Sequence, residues 1–524
     1  MAPRLLSIVI ERGPTPMSHE PISTYQWTKV QLSDYRFLES FRTLYGQDAT
    51  VELFRNPLIE FNRISADGIV GVRGRIAGRT VSAILTDFRV GGGSFGRENM
   101  ALLHAFLREI SRHEGSLVFI LNTLGVRFTE GRALFENVFQ IFPDLQEYRK
   151  DHLFVAVSLG KCLGLGALFF GQAHYRIAAG EGSLINLTGP EVVSLFFGGQ
   201  GPTFESFASA GHQQKVNSLI HEIQPDSEKA VLRTRELVAY PFGIEKHSSR
   251  KLLENDPIRP KYMKSENTLV RILDQIGDHV IELFPQLSSI SRTFLVRHGE
   301  NVIGVIANPP QHPNNLVTAA ALDRTQAAMD FFRALRIPIL SAIDSPGGDP
   351  RASESDSDLV MKMVSLVHSM IEYPYGKMGI VTARCYGGSC MFSFPKIYGS
   401  DRMIALREAN IGVMSSQIIA KILSKNPRMH ASWMENTQKE STDLSDLLES
   451  EVLDAIVPAD ELSAEIDTFL SAVRTAEIPE TTNTRIYTRA QLLPGARVRT
   501  RRVLPSAALQ NRASRKPAPT RRSE

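Results

Sequence analysis

The most constraining feature of this 524-residue sequence is an internal repeat, in which three blocks occur twice at a nearly constant separation of 221 to 223 residues. The first block alternates as a pair of strands around a turn. The second is a buried strand ending in a glycine turn, where Gly125 matches Gly347. The third runs into a glycine turn beside a cysteine, where Cys162 matches Cys385. The blocks span 71–87, 117–127 and 155–166, and again 295–308, 338–348 and 380–389.

A helical pattern lies between the first and second blocks of each copy, at 102–110 and at 322–335. Strands that alternate with helices are typical of parallel sheets with right-handed crossovers. The sequence therefore predicts an α/β protein with two homologous domains in tandem, at 35–245 and 265–475. A polar, proline-bearing stretch at 246–264 is interpreted as a linker. Residues 1–34 are expected to form an irregular or helical lead-in.

Charge is divided unevenly along the chain. The formal net charge is +3, yet 481–524 alone carries eleven basic residues and one acidic residue, so the rest is mildly acidic. This tail, at 476–524, lacks the apolar residues needed to order itself and is expected to be disordered. It has no aromatic series, helix-turn-helix or zinc pattern, so a nucleic-acid-binding function is not expected.

Composition points to an ordinary globular protein, with 43% hydrophobic residues. No apolar run approaches the roughly 20 residues that span a bilayer, and the N-terminal apolar run is too short for a secretory leader. The three cysteines form neither a disulfide framework nor a zinc pattern. We therefore expect a cytoplasmic protein that does not associate with membranes.

Each copy of the repeat offers two junctions between a strand and a glycine turn. A helix that begins at such a turn leaves backbone N–H groups unpaired, and two donors aimed at one point form an oxyanion hole. Two copies offer two holes, which suits transfer of a group between two reactants. Tight turns without any catalytic role use the same glycines, and only their recurrence in matched context favours the functional interpretation.

The blocks resemble the carboxyltransferase (β) subunit of biotin-dependent acyl-CoA carboxylases, in particular the propionyl-CoA and methylmalonyl-CoA group. The resemblance covers about residues 35–475. It implies two tandem crotonase-like domains, the first on the acyl-CoA side and the second on the biotin side. The motifs that carry it are Asp87-Phe88 with Gly92-Gly93-Ser94, TGPEVV at 188–193, GVIAN at 304–308, DSPG at 344–347, YGG at 386–388 and IGVM at 411–414.

This resemblance implies transfer of a carboxyl group from carboxybiotin to the α-carbon of an acyl-CoA. The amides of Gly388 and Ser389 correspond to those that hold the biotin enolate, and the amides of Gly164 and Leu165 to those that hold the acyl-CoA enolate. Further substrate contacts are implied at Gly125, Arg127, Gly347, Tyr386, Gly387 and Met391.

The resemblance also implies the partners of the chain. Biotin is expected on a separate carrier protein, with biotin carboxylase and biotin carboxyl carrier subunits as partners and no metal in this subunit. The chain itself is expected to form a homo-oligomer, a dimer-based hexamer, in which the first domain of one subunit and the second domain of another share each site.

Departures from the family pattern predict a remodelled acyl pocket. Leu165 puts an isobutyl group where the family has glycine, which predicts a narrowed hole. Met391 occupies the position that tunes acyl-chain choice, where propionyl enzymes have aspartate. The family's glycine-rich stretch after DxPG is replaced by 354–358 (ESDSD), a polar helix start. These changes argue against an ordinary propionyl substrate.

Several other residues invite a functional interpretation that their context weakens. The segment VMKM at 360–363 matches a biotin-attachment tetrapeptide, but its continuation has helical spacing, which favours a core helix. Cys162 and Cys385 lie beside the turns without a base placed by spacing to activate them, and are expected to be packing residues. Arg127 and Glu130 could brace the first turn instead of reacting.

Two alternatives to carboxyl transfer stay open. The same holes could catalyse biotin-independent decarboxylation of a malonyl-type thioester, or the chain could be a non-catalytic homologue kept for assembly, which the lost glycines suggest. Neighbouring genes for a biotin carboxylase and a biotin carrier would favour carboxyl transfer.

Overall fold

The computed structural model describes residues 27–31, 58–62, 67–77, 79–240, 263–277, 279–285, 291–309, 315–423 and 427–474. The chain divides into two compact units, 1–463 and 464–524. Both sheets described below belong to the first unit. The basic tail and most of the predicted linker lie outside the described residues. Within the described ranges, no helix has both the length and the apolar character needed to cross a membrane.

The first half of the chain forms a mixed sheet. Its described strands are β1 (Trp27–Gln31), β2 (Leu58–Asn62), β3 (Ile69–Ile76), β4 (Arg79–Thr86), β5 (Ser116–Thr123), β6 (Phe154–Leu163), β7 (Tyr175–Ala179), β8 (Leu184–Asn186) and β9 (Glu222–Gln224). Their order is β1-β2-β3-β4-β5-β6-β7-β9, with β8 beside the end of β6. The first four strands pair antiparallel, and every pairing from β4 onward is parallel.

The second half repeats this plan. Its described strands are β10 (His279–Leu283), β11 (Arg292–His298), β12 (Asn301–Ala307), β13 (Ile339–Ser345), β14 (Lys377–Tyr386), β15 (Arg402–Leu406), β16 (Asn410–Gly412) and β17 (Ala455–Val457). Their order is β10-β11-β12-β13-β14-β15-β17, with β16 beside the end of β14. The pairing is antiparallel up to β12 and parallel beyond it.

Helices connect the parallel strands, as the strand–helix alternation predicts. The described α-helices are α1 (Arg97–Ile110), α2 (Phe135–Asp151), α3 (Leu165–Gly171), α4 (Pro190–Phe196), α5 (Phe204–Ala208), α6 (Ala210–Val216), α7 (Ser227–Ala239), α8 (Met263–Ile276), α9 (Ala319–Leu335), α10 (Ala352–Asp356), α11 (Leu359–Glu372), α12 (Ser416–Leu423), α13 (Pro427–Thr442), α14 (Ser445–Glu449) and α15 (Leu462–Arg474). Short 3-10 helices span Gly91–Gly93, Phe128–Leu134, Gly387–Ser393, Lys396–Tyr398 and Ala459–Glu461.

All three repeated blocks form the predicted strands, but the structure differs from the prediction in other respects. The lead-in contains strand β1 where the sequence predicts an irregular or helical segment, and α8 begins within the last two residues of the predicted linker. The helix expected after Gly388 is a 3-10 helix that stops at Ser393. Pro395 accounts for this stop, because proline disfavours helical backbone at the residue before it, and Phe394 is left-handed, with φ +53°.

The VMKM segment forms the first turn of α11, as predicted, but that turn is at the surface. Val360 and Met361 are 70% and 66% exposed. The Lys362 ammonium lies 2.6 Å from the Asp323 carboxylate on α9. The helix is confirmed, whereas the expected core position holds only for its later turns, where Leu366 and Met370 are buried.

One continuous apolar core joins the two halves. It includes side chains of β3 to β7 and α7 together with side chains of β10 to β13, α9 and α11. Tyr175, fully buried at the junction, donates to the Glu222 carboxylate at 2.6 Å and accepts the Phe284 N–H at 2.8 Å. Core side chains and hydrogen bonds connect one sheet to the other. The two halves therefore pack against each other and share one core.

Asp344 holds the ends of two neighbouring strands together. Its buried carboxylate at the end of β13 accepts the Arg384 N–H at 2.8 Å and the guanidinium of the same arginine at 2.7 and 2.8 Å. The Asn315 amide donates to it at 3.0 Å. The matched residue, Asn122, accepts the Lys161 N–H at 3.1 Å. The Asp344 carboxylate therefore ties the end of β13 to β14, because its oxygens face that strand.

We expect Asp344→Ala to lower the free energy of unfolding by about 3 kcal/mol, since it leaves the Arg384 and Asn315 donors without their buried acceptor. Urea denaturation measures this change. Asp344→Asn is the matched control and is expected to cost less, because asparagine accepts the same strand N–H at position 122. Equal losses for the two variants, or none for alanine, would contradict this role.

Candidate functional site

The candidate site lies at the ends of neighbouring parallel strands. These are β5 and β6 in the first half, and β13 and β14 in the second. Each pair slips in register at the same place, between Leu121 and Thr123 and between Ile343 and Ser345. After the slip, Thr123 lies opposite Cys162 and Ser345 opposite Cys385. The two glycine turns of each half are thereby brought side by side, since neighbouring parallel strands end at the same edge of their sheet.

Both block-two turns are fixed by the same hydrogen bonds. Gly125 N–H donates to the Thr123 hydroxyl at 3.0 Å, and Gly347 N–H to the Ser345 hydroxyl at 3.3 Å. The two glycine carbonyls accept the N–H of Phe95 at 2.8 Å and of Val317 at 2.9 Å. These two hydroxyls are not among the residues predicted from the sequence. A signal for them is present, because threonine and serine occupy matched positions in the repeat.

Block-three turns begin with a glycine in a backbone conformation that other residues rarely adopt. Gly164 has φ +56° and Gly387 has φ +54°, each directly after its strand. Gly164 N–H donates to the Asn186 carbonyl at 2.9 Å and so completes the pairing of β6 with β8. This amide is thus used in strand pairing, although the resemblance pairs it with the amide of Leu165 as a donor to the enolate.

Matching the halves shifts the expected donors of the first half by one residue. Gly164 corresponds to Gly387, so Leu165 and Gly166 correspond to Gly388 and Ser389. Leu165 and Gly166 are the first residues of α3, where amides have no partner inside the helix. The geometry therefore favours this pair, and Gly166 is a candidate that the sequence did not reveal.

The Leu165 side chain does not stand over the turn. It is 6% exposed and belongs to the core cluster that also contains Cys162 and Phe169. The expectation that its isobutyl group narrows the hole is therefore wrong, because the first turn of α3 directs this side chain inward. Leu124 and Leu168, which are 46% and 44% exposed, supply the apolar surface here.

The two halves differ in the space around the turns. In the first half, a Cβ added to Gly125 would lie 2.9 Å from the Leu163 carbonyl oxygen, so the two turns are in close contact. In the second half, a Cβ added to Gly347 or Gly348 would meet nothing within 4 Å. One added to Gly388 would reach only the Met363 methyl group, at 3.2 Å. The block-two turn of the second half, at Gly347, is thus more open than its counterpart at Gly125.

Ser389 and Tyr386 are buried and stabilise the turn that begins at Gly387 in the second half. The Ser389 hydroxyl lies 2.8 Å from the Tyr386 carbonyl and 3.1 Å from the Ser345 carbonyl, and it accepts the Tyr386 N–H at 3.2 Å. Burial raises the pKa of Tyr386, whose side chain stays neutral near pH 7. Of the implied substrate contacts here, Gly387 and Met391 are exposed, with Met391 44% exposed, whereas Gly347 is half-buried and Tyr386 is buried.

Arg127 braces the first-half turn. Its guanidinium donates to Asp67 at 2.8 Å, to Glu130 at 2.9 Å, and to the hydroxyl and carbonyl of Ser94 at 3.2 and 3.1 Å. Burial lowers its pKa, but the two carboxylates outweigh this and raise the pKa overall. These protein contacts give Arg127 the bracing role that the sequence suggested for it. They differ from the substrate contact implied by the resemblance.

The cysteines beside the turns are buried. Cys162 lies in the core, where burial raises the pKa of its thiol. This confirms that Cys162 is a packing residue. Cys385 is also buried, but its sulfur lies 2.7 Å from the sulfur of Cys390. Within the described residues, no cluster of three or more histidine, cysteine, aspartate or glutamate side chains is arranged to hold a metal ion.

Comparison with known proteins identifies the family. The family model described as the carboxyl transferase domain matches residues 48–488. The putative propionyl-CoA carboxylase beta chain of Bacillus subtilis (strain 168) is 26% identical, over 76% of this chain and 81% of the relative. The methylmalonyl-CoA carboxyltransferase 12S subunit of Propionibacterium freudenreichii subsp. shermanii is 22% identical, over 73% and 72%.

A third relative carries a different activity in its name. The methylmalonyl-CoA decarboxylase subunit alpha of Veillonella parvula is 23% identical, over 74% of this chain and 80% of the relative.

The fold also matches a solved structure. A crystal structure of transcarboxylase 12S, described as a hexamer assembly with hydrolysed methylmalonyl-coenzyme A bound, superposes with a TM-score of 0.74 at 18% identity. The match covers 87% of this chain and 94% of that chain. This likeness confirms the predicted fold class of two tandem crotonase-like domains. With the family model matching most of its length, the chain belongs to the carboxyl transferase family.

Proposed function

We propose that this protein is the carboxyltransferase component of a biotin-dependent acyl-CoA carboxylase. It moves a carboxyl group from carboxybiotin to the α-carbon of an acyl-CoA. The observation that carries this proposal is the duplicated turn. Each half of this chain, which belongs to the carboxyl transferase family, sets a pair of backbone amides directly after a glycine of positive φ, at Gly164 and at Gly387.

On the acyl-CoA side, the proposed donors are the amides of Leu165 and Gly166. They face the charge that develops on the thioester oxygen when the α-proton leaves, and backbone donors stabilise such an enolate without reorganising. The exposed side chains of Leu124 and Leu168 offer apolar surface to the acyl group. Arg127 acts through Ser94 and Glu130, which fix the loops around the Gly125 turn.

On the biotin side, the open space at Gly347 and Gly348 fits a flat ring that approaches the backbone closely. Gly388 and Ser389 would direct their amides to the ureido oxygen. Carboxybiotin supplies the carboxyl group when the carrier protein brings it to this turn. Met391, exposed beside this turn, occupies the position that the resemblance links to acyl-chain choice.

Partners and assembly belong to the same proposal. A biotin carboxylase and a biotin carboxyl carrier subunit supply carboxybiotin, and the chain works as a homo-oligomer built from dimers. The relatives named as carboxylase beta chains and the hexamer of transcarboxylase 12S support this. A cytoplasmic location and the absence of a metal from this subunit stay predictions.

Purified protein incubated with a panel of acyl-CoAs, malonyl-CoA, methylmalonyl-CoA and free biotin tests the proposal. Biotin-dependent exchange of carboxyl groups supports carboxyl transfer. Release of CO2 from malonyl-CoA or methylmalonyl-CoA without biotin would replace it with the decarboxylase alternative. No reaction with any substrate, in protein shown to bind acyl-CoA, would favour a non-catalytic homologue.

We expect Gly388→Leu to lower kcat/KM for biotin about 100-fold, because its side chain fills the approach to the two amides. The Kd for acyl-CoA should stay unchanged, since the other hole is intact. Gly388→Ala is the folding control, because its Cβ meets only the flexible end of Met363. Unchanged transfer in a folded Gly388→Leu protein would show that the donors lie elsewhere.

We expect Arg127→Gln to lower kcat about tenfold with little change in KM for biotin, since it loosens the Gly125 turn on the acyl-CoA side. Arg127→Lys should restore part of the loss. Arg351→Gln is the matched control, because Arg351 lies near the equivalent turn, pairs with Asp349 and has a side chain that is 69% exposed. Equal effects at Arg127 and Arg351 would rule out a positioning role.

A further inference from the structure

Two cysteine sulfurs are in contact at the turn that follows β14, which carries the proposed biotin-side donors and is called the biotin-side turn below. Cys385 is the last but one residue of β14, just before Tyr386 and Gly387, and Cys390 lies in the 3-10 helix Gly387–Ser393 that follows. Their Sγ atoms are 2.7 Å apart. A disulfide bond is about 2.05 Å long, so the two sulfurs must approach by about 0.7 Å to close the pair.

The first half shows that this pair is an addition to the common plan. Cys162 matches Cys385 at the end of the equivalent strand, but the residue that matches Cys390 is Ala167. Cys162 therefore packs in the core without a second thiol at the equivalent position of its own turn. The repeat supplies an internal control, because only the biotin-side turn has two cysteines.

The two thiols differ in solvent exposure and in their roles in the hydrogen bond between them. Cys390 is half-buried and reachable from solvent, whereas Cys385 is 1% exposed. The Cys385 S–H donates to the Cys390 sulfur. This hydrogen bond and burial raise the pKa of the Cys385 thiol. Cys390 is thus the sulfur that meets an oxidant first, and Cys385 is the thiol placed to react with the product.

We propose that Cys385 and Cys390 form a modification site at which hydrogen peroxide closes an intramolecular disulfide. The Cys390 sulfur attacks the peroxide and breaks its O–O bond, which yields a sulfenic acid and one water molecule. The Cys385 sulfur then displaces hydroxide from the sulfenic acid, forming the S–S bond and a second water. Two thiols and one hydrogen peroxide give one disulfide and two waters, and a dithiol reductant reverses the change.

The disulfide acts on the turn that holds the proposed biotin-side donors. Cys390 directly follows Ser389, and its carbonyl accepts the Ser393 hydroxyl at 2.7 Å. Closing the bond draws Cys390 toward β14 and moves the backbone on which the amides of Gly388 and Ser389 are set. We expect oxidised protein to lose carboxyl transfer and reduced protein to regain it. This consequence rests on the proposed function, whereas the disulfide itself does not.

Full-length protein treated with hydrogen peroxide and then with an alkylating agent tests the site. We expect a peptide cross-linked between Cys385 and Cys390, an intact mass lower by two hydrogens, and one remaining alkylation site at Cys162 after denaturation. Cys390→Ser and Cys390→Ala should both lose the cross-link, and Cys162→Ala should keep it. Two substitutions at position 390 guard against a variant that fails to fold.

Three outcomes would overturn the proposal: higher oxidation of Cys390 with Cys385 still free to be alkylated, a disulfide between two chains, or no change in thiol count at peroxide levels that oxidise an exposed cysteine. Transfer activity is measured separately on the same samples. A disulfide that forms and reverses without changing activity refutes only the link to the turn. If the chain never transfers carboxyl groups, the mass and alkylation results alone decide whether the disulfide forms.

Discussion

The site depends on a constraint at the strand ends, where two neighbouring parallel strands must diverge at the same residue in both halves. A register slip after Leu121 and after Ile343 releases the backbone from the ladder. Each slip leaves a strand N–H without its ladder partner, and Asn122 or Asp344 accepts it. Buried N–H groups must be paired. Without these two side chains, the turns could not leave the sheet in a fixed direction.

The junction between the halves explains why both turns can be held by one rigid frame. Tyr175, Phe284 and His221 pack against one another at the point where the sheets meet. Burial and the nearby Arg176 charge lower the pKa of His221, so its ring is neutral and packs as an aromatic residue. A buried Arg233–Glu222 ion pair with a 3.0 Å contact lies in the same region. Such groups are costly to separate, which favours a single cooperative unit.

The repeat is sufficient to predict the central strands of both sheets, their parallel pairing and the position of the turns, because buried strands and positive-φ glycines leave strong local signals. The prediction of the two amide donors in the first half, however, differs by one residue from the pair that the geometry favours. The amide of Gly164 is taken by Asn186, which belongs to β8, a strand of three residues. So short a strand has no periodicity to detect.

Other features depend on contacts between residues distant in sequence. Arg127 meets Asp67, which lies 60 positions earlier in the chain. No local pattern predicts that contact, so the role of Arg127 stays open at the level of sequence. The inward direction of Leu165, in contrast, is within reach of the sequence. Leu165 and Phe169 are spaced i, i+4 on α3 and both are buried.

The halves have diverged in how they obtain rigidity, and this bears on the chemistry each can hold. In the first half, the Gly125 turn packs directly against Leu163 and Gly164, so contact between backbones fixes the donors. In the second half, the space beside Gly347 is open, and the bidentate pair of Arg384 with buried Asp344 fixes the strand ends instead. The Arg384–Asp344 ion pair fixes the backbone at the strand ends and leaves the space beside Gly347 open. That arrangement suits a bulky ring delivered from outside, whereas the close-packed turn suits a slender thioester.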